Sequence, residues 1–262
     1  MSSESVDEGI KTVNLARPGH ADLAGVQKFD FDEIRNVLER SSARETDMRV
    51  VLASICRKLL REVGIEVGSR VIQIYNVKDE TPMPEGISPE ALNELADKSV
   101  VRCLDKNAET EMIVAIDKAK EEGDSVGGIF EIIATGLPYG LGSHTQWDKK
   151  LHARIAESIM SVNAFKGIEI GMGFEEAGML GSEVHDEIGW DGEKYIRYSN
   201  NAGGIEGGMS NAQPIVIRAV MKPIPTLIKP LRSVDIETKE DKLAHKERTD
   251  SCSVPAASIV AE

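Results

Sequence analysis

The side chains best suited to chemistry stand in short polar segments far apart along the chain. The first is Arg17-Pro18-Gly19-His20-Ala21-Asp22, where Pro and Gly force a turn that presents an imidazole beside a carboxylate. Imidazole changes charge near neutral pH, so His20 is by type a proton donor or acceptor. The second is Glu39-Arg40-Ser41-Ser42-Ala43-Arg44-Glu45-Thr46. If Ser42 caps a helix, the unpaired amides of its first turn, the positive end of its dipole, Arg40 and the Ser41 hydroxyl converge on a seat for phosphate. An ordinary capped helix with solvated arginines shows the same pattern. The third, Gly203-Gly204-Ile205-Glu206-Gly207-Gly208, has four glycines in six residues, which let the backbone approach a planar or phosphorylated ligand or simply make tight turns. It precedes a strand and lacks the G-x-G-x-x-G spacing, so it is no dinucleotide fingerprint. Lys222-Pro223-Ile224-Pro225-Thr226 ends a strand, as two prolines do on conformational grounds alone. Arg248-Thr249-Asp250-Ser251-Cys252 sets a cation and a carboxylate two residues apart, equally a surface ion pair or the acid at a helix start.

Several chemistries lack their residues. Of the five histidines, none has metal-site spacing, and neither a Walker A loop nor a G-x-S-x-G elbow occurs. Cys56, Cys103 and Cys252 are odd in number and widely spaced, which suits reduced thiols rather than a disulfide framework. With 31 Lys+Arg against 44 Asp+Glu, the formal charge of −13 has the wrong sign for a nucleic-acid binder, and 4% aromatics leave little for base stacking. No apolar run approaches the about 18 residues of a membrane span, and Met1-Ser2-Ser3-Glu4-Ser5 is unlike a signal peptide. The expectation is a soluble, cytoplasmic protein with no nucleic-acid or membrane partner and no metal.

The elements that must position these segments follow from periodicity. A helix is expected from Asp32, and a stronger one from about Ala43 to Gly64, where Ser42 and Glu45 have capping-box spacing and Met48, Val51, Leu52, Ile55, Leu59 and Leu60 recur at helical intervals. Strands are expected at 70–77, 127–135, 167–170 and 214–221, the last with the clearest alternation, and another at 234–238. Helices are expected from Pro89, over Glu109–Glu122, from Trp147 to about Val162, and at the Pro255 end. Residues 136–142 read as a loop and 171–212 as an extended loop region around a site. No repeat or linker divides the chain, so an irregular segment 1–15 and a single α+β domain over 16–262 are expected.

Taken in order, the five segments resemble chorismate synthase, as do Asn163-Ala164-Phe165-Lys166-Gly167 and Gly181-Ser182-Glu183-Val184-His185-Asp186-Glu187-Ile188. The resemblance runs from Arg17 across essentially the whole chain. It implies a β-α-β sandwich with helices between antiparallel sheets, assembled as a homotetramer, that uses reduced FMN to eliminate phosphate from 5-enolpyruvylshikimate 3-phosphate in a 1,4-anti sense. The product is chorismate, the end of the shikimate pathway, and NADPH is implied only if the protein also reduces its flavin. By motif, the resemblance places Arg40, Ser41, Ser42, Asn163, Ala164, Gly207, Lys222, Pro223, Ile224, Pro225, Thr226 and Arg248 at FMN, with His20 and Asp250 as catalytic residues. Family members begin with a strand and a Gly-Glu-Ser-His-Gly motif followed by an arginine-rich segment, and end in a longer helix. Neither opening feature precedes Ala16, so the chain resembles a partial domain, with a catalytically impaired or merely flavin-binding and oligomerising remnant as the alternative.

Overall fold

In the computed structural model, residues 13–245 and 250–262 are described. Helix formation begins earlier than the sequence pattern indicates: α1 (Asp22–Phe29) starts at the carboxylate of the histidine turn, and α2 (Arg35–Arg40) follows. Asp30 separates them in the left-handed conformation, φ 54°, which stops α1. Next comes α3 (Glu45–Glu62), with Arg44 rather than Ser42 at its N-cap. Ser42 therefore lies two positions before the N-cap residue. No residue of α3 is buried, and Met48, Leu52, Ile55 and Leu59 keep 61–67% of their surface exposed.

The chain continues through β1 (Glu66–Ile74), β2 (Val77–Lys78), α4 (Pro89–Ala96) and α5 (Lys106–Glu121). Ser88 caps α4 by accepting the Ala91 N–H at 3.2 Å, with Pro89 at the first helical position. Asp105 caps α5 by accepting two N–H groups at 2.7 Å. Then come β3 (Gly128–Thr135), β4 (Tyr139–Gly142), α6 (Leu151–Met160), β5 (Phe165–Ile170), α7 (Gly181–Val184), β6 (Ile188–Trp190), β7 (Tyr195–Arg197), β8 (Ile205–Glu206), β9 (Met209–Asn211) and β10 (Ile215–Met221). The hairpin β11 (Arg232–Val234) and β12 (Asp241–Leu243) and the helix α8 (Val254–Ala261) complete the order.

Two regions read as loop from sequence contain structure. Residues 139–142 form a strand that pairs with β9, and 171–212 hold α7 and two hairpins. Strands of two to four residues are too short to show a period, and the partner of β4 lies far along the chain.

Two compact units result, one from residues up to 43 with 225–249, the other from 44–224 with 250–262. In the first, Ala16, Val26, Ile34 and Val37 form a small core. The second is built on an antiparallel sheet of order β2-β1-β3-β10-β5. Strand β10 alternates buried and half-buried residues, and its neighbours place Ile217 between Ile132 and Ile170. Phe130 and Phe165 meet in its core with ring centroids 5.2 Å apart. The α+β class with antiparallel sheets is the one the sequence indicates.

Candidate active site

In the first unit the histidine turn is a closed polar cluster. Gly19 takes φ +77°, and the His20 amide donates to the Arg17 carbonyl at 3.2 Å. Asp22, fully buried, accepts on one oxygen from the Arg17 amide at 3.0 Å and Nε at 2.8 Å, and on the other from Arg17 Nη2 at 3.1 Å and His20 Nδ1 at 2.6 Å. Burial opposes its charge, but the hydrogen bonds from His20 and Arg17 outweigh that and hold the carboxyl well below the usual range. Arg17 Nη1 reaches Thr226 Oγ1 at 3.4 Å, which ties the end of the Lys222–Thr226 segment to this cluster.

Arg40 and Ser41 close α2 in the same unit. Ser41 is its C-cap residue, and its hydroxyl donates to the carbonyls of Val37 at 2.8 Å and Leu38 at 3.3 Å. The convergence on a Ser42-capped helix start is replaced by a turn that leads into α3.

In the second unit one end of the sheet gathers two sequence-distant segments along Ser125-Val126-Gly127 and a third beyond Lys222. The Lys222 amide donates to the Ala164 carbonyl at 3.0 Å, beside a bulge where Met221 pairs with Phe165. Ala164 holds φ +68°, the left-handed region that disfavours a side chain. Ser125 Oγ donates to the Ile224 carbonyl at 2.7 Å, so Lys222, Pro223 and Ile224 run alongside. The Val126 amide donates to the Ser251 carbonyl at 2.8 Å, and Val126 bridges Cys252, which anchors the exposed Asp250 at this end. A Cβ on Gly127 would lie 2.3 Å from the Met221 carbonyl oxygen and 2.8 Å from Pro223 N. Lys222, Pro223, Ile224 and Asp250 thus lie along this segment, while Asn163 and Ala164 adjoin Lys222 on its other side. Sequence reasoning passes over Ser125–Gly127, although the paired glycines at 127 and 128 before an apolar strand signal a close backbone approach.

Gly207 lies elsewhere in this unit. Leu151, the first residue of α6, donates to the Gly208 carbonyl at 2.8 Å, whereas Asn163 follows the far end of that helix, about 15 Å away at 1.5 Å per residue. Gly207 has φ +57° and open space where a Cβ would be. Beside this hairpin is a cavity of about 490 Å³ lined by His152, Glu176, His185, Asp186, Ile205 and Glu206. Asp186, despite partial burial, is held below the usual carboxylate range by Ser199 Oγ and the Ala202 and Asn201 amides. Glu206 forms a two-bond pair with Arg197 at 2.6 Å, which lies over the Tyr139 ring. The remaining expected residue, Arg248, lies outside the described residues. Among the described residues no group of His, Cys, Asp and Glu has metal-site geometry, and no helix is long and apolar enough to cross a membrane.

The family model for chorismate synthase matches residues 4–262. The chain belongs to the chorismate synthase family. It is 54% identical over 266 residues to the chorismate synthase of Brevibacillus brevis, covering 100% of this chain and 68% of that relative. It is 53% identical over 263 residues to that of Bacillus velezensis, covering 100% and 67%. A crystal structure of chorismate synthase superposes with a TM-score of 0.77 at 43% identity, covering 92% of this chain and 66% of that one. The chain thus spans about two-thirds of the length of its relatives. By family it is a lyase, and the family implies a reduced flavin.

Proposed function

We propose that the chain carries out the reaction of its family, 1,4-anti elimination of phosphate from 5-enolpyruvylshikimate 3-phosphate to give chorismate with reduced FMN, as a homotetramer in the cytoplasm. The observation that carries this reading is the Arg17–Asp22–His20 cluster, a buried ion pair that holds an imidazole whose side chain is 18% exposed. The residues fit a flavin mononucleotide on two counts. Open space at Gly207 leaves backbone accessible to a planar group, and the strained φ of Ala164 is the kind of backbone distortion kept at ligand sites. Arg40, Ser41, Ser42 and Lys222 supply the cations and hydroxyls that suit a phosphate tail. With Asn163, Ala164, Gly207, Pro223, Ile224, Pro225, Thr226 and Arg248, these would hold the cofactor.

When bound, reduced FMN supplies transient electron density to a reaction that breaks an unactivated C–H bond. His20 holds or supplies a proton, and Asp250 takes part in removing the substrate proton. Arg40, Arg44 and Arg248 offset the two carboxylates and the phosphate of the substrate within a chain of charge −13. NADPH enters only if the protein reduces its own flavin.

The test is anaerobic incubation with reduced FMN and substrate, with flavin binding followed by absorbance and chorismate and phosphate measured as products. Stoichiometric chorismate and phosphate above the protein-free rate are expected. Flavin binding without phosphate release overturns the activity and leaves family membership standing.

A further inference from the structure

We propose that Asp22, clamped by Arg17, is a positioning residue that holds His20 as the Nδ1–H tautomer and so makes Nε2 the atom at which protons come and go. The inference rests on the proton-handling role given to His20 above, and it says how that role is built.

Hydrogen-bond roles in the cluster decide the tautomer. Asp22 Oδ1 lies 2.6 Å from His20 Nδ1, a short, charge-assisted distance. A carboxylate only accepts, so the hydrogen between them belongs to Nδ1. Against the cost of complete burial, three hydrogen bonds from the Arg17 amide, Arg17 Nε and Arg17 Nη2 keep the carboxylate ionised and fixed. The same interactions hold its acidity far below neutral, so it does not take the proton itself. Arg17 Nη2 lies 3.1 Å from Nδ1 and 3.3 Å from Nε2. These near-equal distances place Nη2 over the ring face, out of line with either in-plane lone pair, so the choice of tautomer rests with Asp22. Arg17 and Asp22 are the charged side chains that face the imidazole, and of the two it is Asp22 that distinguishes the ring nitrogens. Gly19 at φ +77° and the Arg17-to-His20 turn then set the ring within reach of its carboxylate.

The experiment is ¹⁵N NMR of histidine-labelled protein, Asp22→Asn beside the parent, with kcat and KM on the same samples. In the parent the neutral His20 is expected to show hydrogen on Nδ1 and a lone pair on Nε2. An asparagine keeps its carbonyl oxygen toward the Arg17 amide and Nε and turns its NH2 toward His20, so the tautomer is expected to reverse. With Nε2 no longer basic, kcat falls by about 10²–10⁴-fold while KM stays near the parent value. A parent spectrum with hydrogen on Nε2 overturns the assignment with no variant needed, which keeps the test decisive should Asp22→Asn fail to fold. An unchanged tautomer in a folded Asp22→Asn also overturns it. A reversed tautomer with unchanged kcat supports the positioning and overturns the catalytic role of His20.

Discussion

The two candidate regions are built on opposite principles. The histidine cluster of the first unit is assembled from side-chain charges within six residues, Arg17 to Asp22, and its precision comes from one buried carboxylate accepting four hydrogen bonds. The sheet end in the second unit is assembled from backbone: amides and carbonyls of segments near residues 126, 164, 222 and 251 hold one another, and its side chains project from that frame. A charge cluster of the first kind fails when a partner is removed. A backbone frame of the second kind fails when an atom is added.

The largest expected effect separates chemistry from scaffold. His20→Ala and Asp250→Ala should each lower turnover by about 10²–10⁴-fold at saturating reduced FMN, with thermal unfolding near that of the parent. If both turn over like the parent while melting lower, neither region is catalytic and the comparison is one of stability alone.

Removing the charge partner comes next. Asp22→Ala leaves the buried Arg17 guanidinium, 6% exposed, without its carboxylate, and should cost about 3–5 kcal/mol in urea unfolding. Because the folded carboxyl sits below its ordinary value of 3.8, its stabilisation is fully present above about pH 5. It declines as pH falls below that ordinary value, where the unfolded chain binds a proton that the folded one still refuses. The variant should therefore show a flatter loss of stability in acid than the parent, and an equal slope would mean that Asp22 is not the group responsible.

The backbone frame is probed by adding one carbon. Gly127→Ala places a Cβ 2.3 Å from the Met221 carbonyl oxygen and should destabilise by about 1–3 kcal/mol, with a weaker flavin titration as the local readout. Flavin affinity equal to the parent would separate this sheet end from the cofactor.

The smallest effects form a mirrored pair. Ala164→Gly relieves a left-handed residue and should raise stability by about 0.5–1 kcal/mol, whereas Gly207→Ala, at φ +57° in open space, should lower it by about 1 kcal/mol. Chemical unfolding of both, with signs as stated, confirms that left-handed strain rather than crowding governs both positions.

Much of this was legible in the residue order where the physics is local. The histidine turn needs only Pro, Gly and their neighbours, and the caps of α4 and α5 are set by Ser88 and Asp105 acting within three residues. Strand β10 announces itself because one face is buried and the pattern must alternate. Local rules also misled: Ser42 and Glu45 have capping-box spacing, yet the chain turns after α2 and α3 begins at Glu45.

By itself, then, the sequence determined the family, the α+β class and the strand β10, because each rests on residue type, short spacing or ordered motifs. Only the tertiary structure decided that Asp22 is fully buried under Arg17, that α3 leaves its apolar stripe exposed, and that Ser125–Gly127 gathers Ile224 and Ser251, with Ala164 beyond Lys222, while Gly207 stays at the other end of α6. These depend on which distant backbone groups find one another and on how much water their pairing excludes. Neither quantity is carried by a residue's immediate neighbours in the chain.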